Sequence, residues 1–253
     1  MRQLQRLRVV TQQIRDQSIT LTAEQQHYLY RVLRLRSGDR FLALLDSGVV
    51  WLAKLENGTA ELLEPQWVKR ELPLNVTLVL SLPKGSGFDD VVRQVTELGV
   101  SRIVPVMSDR TVLKPSANRH DRWQRIAGEA TEQSERSQTP TVEEPIEFSR
   151  YLNELESPKS DDLRYFCWGR GDSVHLLSQL QTDLLAGDRS SDVDMSIGIT
   201  IAIGPEGGWT DEEVTRSMNA GFVSVSLGKR ILRAITAPAA AMAIVGAIVE
   251  CKI

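Results

Sequence analysis

The chain has 253 residues, enough for one large or two ordinary domains, and 42% of them are hydrophobic, as in soluble globular proteins. Its formal net charge of -3 and pI near 5.7 argue against a generally basic nucleic-acid-binding protein. Two cysteines without CxxC spacing argue against a disulfide framework and a zinc site, and no apolar segment is long enough to span a bilayer, so we expect a cytoplasmic protein without metal.

The first part of the chain predicts a small β-rich domain. A short helix over residues 23–34, capped by Thr22, precedes the strands. Three strands are predicted, at residues 40–45, 49–55 and 60–63. Asp-Ser-Gly and Glu-Asn-Gly turns, typical of hairpins, separate them. The pattern predicts a small antiparallel sheet or barrel.

Charge is concentrated in the same part of the chain. Residues 1–40 carry eight arginines against three carboxylates, a local net charge of +5. A basic surface on an acidic protein is compatible with binding a polyanion. An ordinary solvated surface would have the same composition, so charge by itself leaves both interpretations open.

Residues 65–73 carry no strong pattern and mark a boundary between domains at 1–72 and 73–253. In the second domain, strands and helices alternate five or six times, which predicts a parallel α/β sheet. Strands are predicted at 76–82, 102–106, 163–168, 199–203 and 222–227, and helices at 88–98, 119–136, 173–185, 211–220 and 237–250. We expect the proline- and acid-rich residues 139–160 to lie on the surface and residues 187–196 to form a loose loop.

Two glycine-containing loops, at residues 204–208 and 228–235, follow the last two predicted strands. On strand–helix units of one parallel sheet, such loops converge at one edge, where small ligands bind. Glu206 would repel a phosphate, and neither GxGxxG nor GxxxxGK[ST] occurs, so a ligand with a positive or neutral face is favoured. A tight connection without a ligand would also explain the first loop.

Three other motifs have structural explanations. Thr210 and Glu213 have the spacing of a capping box, so we assign no catalytic role to the acidic residues there. The turn at Lys84 is predicted to be a plain strand–helix connection, or one in which the Lys84 side chain contacts a nucleic-acid phosphate. Glu129 and Arg136, on one predicted helix, are typical of a solvated face.

Taken together, the motifs resemble one family of RNA-modifying enzymes. The segments IGPEGGWTDEE and SLGKRILRAITA, with HYLYRVLRL, LPKG and TELGV before them, are similar to the RsmE family of SPOUT-type methyltransferases. The resemblance implies an α/β fold, with a SPOUT-type parallel sheet, a C-terminal trefoil knot and a small N-terminal PUA-like β-barrel that binds RNA. It also implies S-adenosylmethionine as methyl donor, N3 of a uridine in 16S ribosomal RNA as target, and a homodimer with its active site at the subunit interface.

The resemblance, the distribution of charge and the chemistry of methyl transfer each predict roles for individual residues. The cofactor contacts that the resemblance implies are Trp168, Gly169, Ile203, Gly204, Pro205, Glu206, Gly207, Gly208, Ser226, Leu227, Gly228, Ile231, Leu232 and Ala237. The predicted contacts to RNA phosphates are Arg8, Arg31, Arg34, Arg36 and Lys84. Arg233 is predicted to stabilise the uridine anion or to hold the base, and a structural role or a phosphate contact fits it as well.

The chain departs from the family pattern beside Arg233. Many members read Arg-Thr-Glu-Thr where Ala234 and Ile235 here replace the threonine and the glutamate, so neither position can carry a polar role. Two alternatives therefore stay open. One is a SPOUT methyltransferase that acts on another RNA, such as transfer RNA. The other is a non-catalytic RNA-binding or ribosome-assembly factor that keeps the fold.

Overall fold

The computed structural model describes residues 4–66, 70–85, 87–111, 118–155, 162–169, 172–185 and 198–251, and the loop predicted at 187–196 lies outside them. The chain divides into two compact units. The first consists of Met1–Glu71 and Thr131–Thr139, and the second of Leu72–Ala130 and Pro140–Ile253. Within the described ranges, no helix has the length and apolar character needed to cross a bilayer.

The first unit is built on a six-stranded sheet. Its strands are β1 (Arg6–Val9), β2 (Ile14–Arg15), β3 (Ser18–Thr20), β4 (Arg40–Leu45), β5 (Val50–Leu55) and β6 (Thr59–Gln66), in the order β1-β4-β5-β6-β3-β2. The pairs β4–β5 and β5–β6 are antiparallel, which confirms the predicted hairpins. The first three strands were not predicted, because runs of two to four residues are too short to show a clear alternation.

The helix predicted in this unit begins at its predicted cap but does not continue regularly. In α1 (Ala23–His27), the hydroxyl of Thr22 accepts a hydrogen bond from the backbone N–H of Gln25. A π-helical turn over Tyr28–Val32 then replaces the α-helix. This turn buries Leu29 completely in the core of the sheet.

The first unit also contains a buried ion pair that corrects one prediction. Arg136 is only 3% exposed, and its Nη2 lies 2.6 Å from Oε2 of Glu71. The backbone N–H groups of Ser137 and Gln138 donate to Oε1 of the same carboxylate, at 2.8 and 3.0 Å. Desolvation opposes ionisation of Glu71, but the hydrogen bonds and charge of Arg136 outweigh it and lower its pKa. The predicted solvated face is therefore wrong for Arg136.

The second unit is built on an eight-stranded sheet whose pairs are all parallel, which confirms the predicted α/β class. Its strands are β7 (Asn75–Ser81), β8 (Arg102–Met107), β9 (Thr141–Val142), β10 (Ile146–Glu147), β11 (Asp162–Cys167), β12 (Val174–His175), β13 (Gly198–Ile203) and β14 (Val223–Ser226). The order is β10-β8-β7-β13-β11-β14-β12, and β9 also pairs with β8.

Helices cover both faces of this sheet. They are α2 (Gly87–Glu97), α3 (Asn118–Gln133), α4 (Phe148–Glu154), α5 (Leu176–Leu185), α6 (Asp211–Asn219) and α7 (Ala237–Glu250). Successive side chains of a strand point to opposite faces. Leu78 and Leu80 of β7 accordingly join one apolar cluster with α2 and α7, whereas Val79 joins another with α4 and α6.

The expectation that residues 139–160 lie on the surface is wrong for α4. This helix buries Phe148, Tyr151 and Leu152, which follow the i, i+3, i+4 spacing of an amphipathic helix. Prolines and acidic residues dominate the surrounding composition and obscured that short pattern. Residues 156–160 of the same stretch lie outside the described ranges.

Candidate functional site

Three neighbouring strands of the second unit end at one edge of the sheet, and each continues into a loop. β11 lies between β13 and β14, so that Cys167 pairs with Ile203 on one side and Val225 on the other. The two predicted glycine loops therefore converge at one edge, as expected from parallel strands. They do not follow adjacent strands, because β11 separates them.

The three loops together line one cleft. Its lining residues are Cys167, Trp168, Gly169, Ile203, Gly204, Pro205, Glu206, Gly208, Trp209, Leu227, Gly228, Arg230, Ile231, Leu232, Ala234 and Ala237. Every residue predicted to contact the cofactor is among them except Gly207 and Ser226. Sequence reasoning missed Cys167, Trp209, Arg230 and Ala234, of which only Trp209 had a signal, as an aromatic residue directly after the glycines.

Trp209 joins the loop after β13 to the end of β11. Its indole Nε1 donates a hydrogen bond to the carbonyl oxygen of Cys167 at 3.2 Å. Its ring stacks on Phe148 and Phe166, with centroids 4.5 and 4.8 Å away. A Cβ at Gly204 would lie 2.9 Å from the indole, so this position requires glycine.

Residues 204–210, which we call the glycine loop, are held by hydrogen bonds of their own backbone and of the loop after β7. The N–H of Gly208 donates to the carbonyl of Pro205 at 2.8 Å, and Gly208 has a positive φ of 71°. The carboxylate of Glu206 accepts from the backbone N–H of the exposed Lys84 at 3.1 Å. Glu206 thus has a backbone partner inside the protein.

The two predicted residues that do not line the cleft shape the loops that do. The carbonyl of Gly207 accepts a hydrogen bond from Nη1 of Arg110 at 2.8 Å. The hydroxyl of Ser226 accepts from the N–H of Gly228 at 3.0 Å, where φ is 117°. These hydrogen bonds fix the backbone of the loops that line the cleft.

The predicted capping box at the start of α6 is confirmed. The hydroxyl of Thr210 accepts from the N–H of Glu213 at 3.3 Å, and the Glu213 carboxylate accepts from the N–H of Thr210 at 2.8 Å. Glu213 is 6% exposed, and it also accepts from the N–H of Asp109 at 2.9 Å. Its contacts fit the structural role assigned from the sequence.

The cleft carries little charge. Glu206 and Arg230 are the charged side chains of its lining. Desolvation raises the pKa of the Cys167 thiol to about 12, so this side chain stays neutral near pH 7. Among the residues that the structure describes, no three His, Cys, Asp or Glu side chains form a group that could hold a metal ion.

Three glycines of the cleft lining have open space where a side chain would begin. A Cβ added at Gly169, Gly208 or Gly228 would meet no atom within 4 Å. A ligand can therefore approach the main chain directly at these positions. The arrangement suits a ligand that packs on apolar side chains and hydrogen-bonds to backbone groups, and it does not resemble a cationic phosphate site.

The segment before α7 contains the predicted catalytic arginine. Arg233 is exposed and is not among the lining residues, and its carbonyl accepts from the N–H of Ala237 at 3.0 Å. Ala234 lines the cleft. A Cβ at Gly87 would lie 2.8 Å from Cγ2 of Ile235, so this isoleucine packs against the start of α2. Ile235, one of the two residues that depart from the family pattern, thus packs against the apolar core of the second unit.

The arginines predicted to bind RNA in the first unit are all exposed: Arg8, Arg31, Arg34 and Arg36. Arg34 has a positive φ of 57°, which is uncommon for a residue other than glycine. Arg6, from the same basic stretch, differs from them. Its Nη2 lies 3.1 Å from the Glu135 carboxylate, and its side chain is 11% exposed, so an RNA phosphate would have to compete with that pair.

Comparison with protein families assigns both parts of the chain. A model described as an RNA methyltransferase domain matches residues 70–246. A model described as an RNA methyltransferase PUA domain matches residues 21–64. The match to the PUA domain ends at residue 64, and the match to the methyltransferase domain begins at residue 70.

Individual relatives agree with these matches. The chain is 46% identical to ribosomal RNA small subunit methyltransferase E from Synechocystis sp., over 97% of its own length and 78% of the relative's. The structure is similar to that of a ribosomal RNA small subunit methyltransferase E from Neisseria gonorrhoeae bound to S-adenosyl methionine, with TM-score 0.79, 30% identity and coverage of 95% and 97%. A Legionella pneumophila structure in complex with the cofactor SAM gives TM-score 0.80, 25% identity and coverage of 97% and 98%.

Proposed function

Because the chain belongs to the ribosomal RNA small subunit methyltransferase E family of RNA methyltransferases, we propose that it transfers a methyl group from S-adenosylmethionine to 16S ribosomal RNA. The target proposed is N3 of a uridine, which the sequence resemblance implies. The observation that carries the proposal is the cleft at the ends of β11, β13 and β14, because its lining coincides with the loops that the resemblance assigns to the cofactor.

The lining suits this cofactor. When bound, S-adenosylmethionine would supply a methyl group on a positively charged sulfur: a nucleophile would bond to the methyl carbon as the carbon–sulfur bond breaks, and a neutral thioether would leave. Open backbone at Gly169, Gly208 and Gly228 lets main-chain groups bind a flat ring or a polar tail closely. Apolar side chains such as Leu227 and Leu232 exclude water from the ligand.

Methyl transfer requires the uridine N3 to lose its proton and to approach in line, so positioning supplies much of the catalysis. Arg233 is our candidate for stabilising the uridine anion or holding the base. Its neighbours Leu232 and Ala234 line the cleft, while its own side chain is exposed. A guanidinium in that position can meet an incoming base without occupying the cofactor's place.

We also propose that the protein works in the cytoplasm as a homodimer, with the first unit as its RNA-binding part. Ile231 lines the cleft and is 84% exposed, a large apolar side chain that a second copy would cover. Ala243 and Ala247 of α7 are exposed and permit close approach of another helix. The trefoil knot stays a prediction of the resemblance.

Calorimetry and methyl transfer test the proposal together. We expect S-adenosylmethionine to bind, and labelled methyl to enter 16S ribosomal RNA at one uridine that is unmodified in cells without the protein. Labelling of transfer RNA instead would favour a methyltransferase with another substrate. Absence of cofactor binding would favour a non-catalytic RNA-binding or assembly factor.

A further inference from the structure

A short turn after β8 lies against the glycine loop. In this turn, residues 108–111, which we call the brace turn, the N–H of Thr111 donates to the carbonyl of Ser108 at 2.9 Å. The N–H of Ser108 donates back to the hydroxyl of Thr111 at 2.9 Å. The hydroxyl of Ser81, at the end of β7, donates to that of Ser108 at 3.1 Å. The brace turn is thus closed on itself and fixed to the sheet.

The side chain of Arg110, in the brace turn, hydrogen-bonds to the backbone of the glycine loop. Its Nη1 donates to the carbonyl of Gly207 at 2.8 Å and to that of Trp209 at 3.2 Å. A Cβ at Gly207 would lie 3.2 Å from Cβ and 3.3 Å from Cδ of Arg110, so the arginine stem packs on the loop backbone. One side chain therefore holds two carbonyls and the chain between them.

Arg110 contacts the glycine loop without lining the cleft itself. Neither Arg110 nor Gly207 is a lining residue, whereas Glu206 and Gly208, on either side of Gly207, are. Of the two carbonyls that Arg110 holds, that of Gly207 belongs to a residue outside the lining, and that of Trp209 belongs to a lining residue. Fixing them determines how the intervening residues face the cleft.

The end of the glycine loop has a separate attachment to the brace turn. The hydroxyl of Thr210 donates to the carboxylate of Asp109 at 3.2 Å, and the N–H of Asp109 donates to the buried Glu213 at 2.9 Å. These contacts hold the loop where α6 begins. They do not reach the carbonyl of Gly207, which Arg110 holds in addition to the hydrogen bonds of Glu206 and Gly208 described above.

We propose that Arg110 is a positioning residue that holds the glycine loop in the conformation that receives S-adenosylmethionine. Three glycines in this loop give its backbone many alternative conformations, and ordering it on binding would cost affinity. A guanidinium is charged at any physiological pH and donates from a rigid plane, so the loop is ordered before the ligand arrives. The inference rests on the proposed function only for the identity of the ligand.

The experiment compares Arg110→Ala and Arg110→Lys with Arg93→Ala, an exposed arginine of α2 that serves as the matched control. Without ligand, hydrogen exchange of the amides of Gly207 to Trp209 should accelerate in Arg110→Ala. The Kd and KM for S-adenosylmethionine should rise about tenfold, with kcat at saturation retained and Tm little changed. Arg110→Lys should fall between, and Arg93→Ala should match the wild type.

The other possible outcomes would overturn either this inference or the proposed function. Unchanged amide exchange in Arg110→Ala overturns the inference, whatever the ligand. Faster exchange with an unchanged Kd overturns it too, because the loop would then be held without consequence for binding. If the wild type itself binds no S-adenosylmethionine, the proposed function fails, and unchanged or faster exchange still decides whether Arg110 orders the loop.

Discussion

The indole of Trp209 occupies the space that a side chain at Gly204 would need. A Cβ at that glycine would lie 2.9 Å from both Nε1 and Cε2 of the ring. The ring cannot withdraw easily, because it is 5% exposed and stacks against Phe148 and Phe166. The backbone of the glycine loop therefore lies directly on the aromatic cluster beneath it.

Gly204→Ala is expected to destabilise the protein and to weaken cofactor binding. The added methyl group must displace the indole or the loop, and overpacking of this kind costs about 1–3 kcal/mol of unfolding free energy. Chemical denaturation and calorimetry with S-adenosylmethionine measure the two effects. Gly169→Ala is the stability control, since a Cβ there meets open space. Equal stability of the two variants would show that the Gly204 contact yields without cost.

Arg233→Ala is expected to slow methyl transfer strongly while cofactor affinity is retained. Arg233 is exposed and does not line the cleft, so its removal should act on the RNA base and lower kcat by about 100-fold or more. Arg233→Lys keeps the positive charge and should retain part of the activity. Single-turnover transfer of labelled methyl measures the step, and unchanged turnover in Arg233→Ala would exclude a role in catalysis.

Replacement of Arg31, Arg34 and Arg36 by glutamine should weaken RNA binding. Each lost phosphate contact is expected to reduce the slope of log K against log salt by about 0.7–0.9. Binding measured between low and physiological salt gives this slope. The control replaces Arg15 and Arg40, which are exposed in the same unit. If affinity and slope stay the same, the basic surface is only solvated.

Glu71→Gln should destabilise the first unit by about 3–5 kcal/mol near neutral pH, because it leaves the buried Arg136 without its charged partner. The pKa of Glu71 is lowered in the folded protein, so its carboxylate binds fewer protons folded than unfolded. Its contribution is therefore complete above the unfolded pKa of about 4.3 and is lost as pH falls through the folded value.

Urea unfolding between neutral and acidic pH measures that contribution. Glu71→Gln should lose the part of the acid dependence that Glu71 supplies. The exposed Glu64→Gln is the matched control and should keep both the stability and its pH dependence. A Glu71→Gln variant as stable as the control would show that the ion pair contributes nothing.

Much of the fold could be read from local patterns. Apolar runs placed five of the eight strands of the parallel sheet to within two residues, and the capping signals placed α6 and α7. Pro238 in the first turn marked the start of α7, which begins at Ala237 as predicted. The short strands and α4 were not predicted, because two to seven residues are too few to show the hydrophobic periodicity of a strand or a helix.

The cleft was predicted for a different reason. Glycines at 204–208 and at Gly228 indicated loops at a sheet edge, and the resemblance to a family extended the prediction to Trp168 and Gly169. Cys167, Trp209, Arg230 and Ala234 were missed, and of these only Trp209, the aromatic residue directly after the glycines, had a signal in the sequence.

The sequence by itself determined where the longer strands and most helices lie, where the glycine loops lie and which family they resemble, because each depends on residues close together along the chain. Only the tertiary structure decided that β11 lies between β13 and β14, that Arg136 is buried against Glu71, and that Arg110 holds Gly207. Glu71 and Arg136 are 65 residues apart, and Arg110 and Gly207 are 97 apart. Such pairs have no periodicity, so only the packing of the whole chain brings them together.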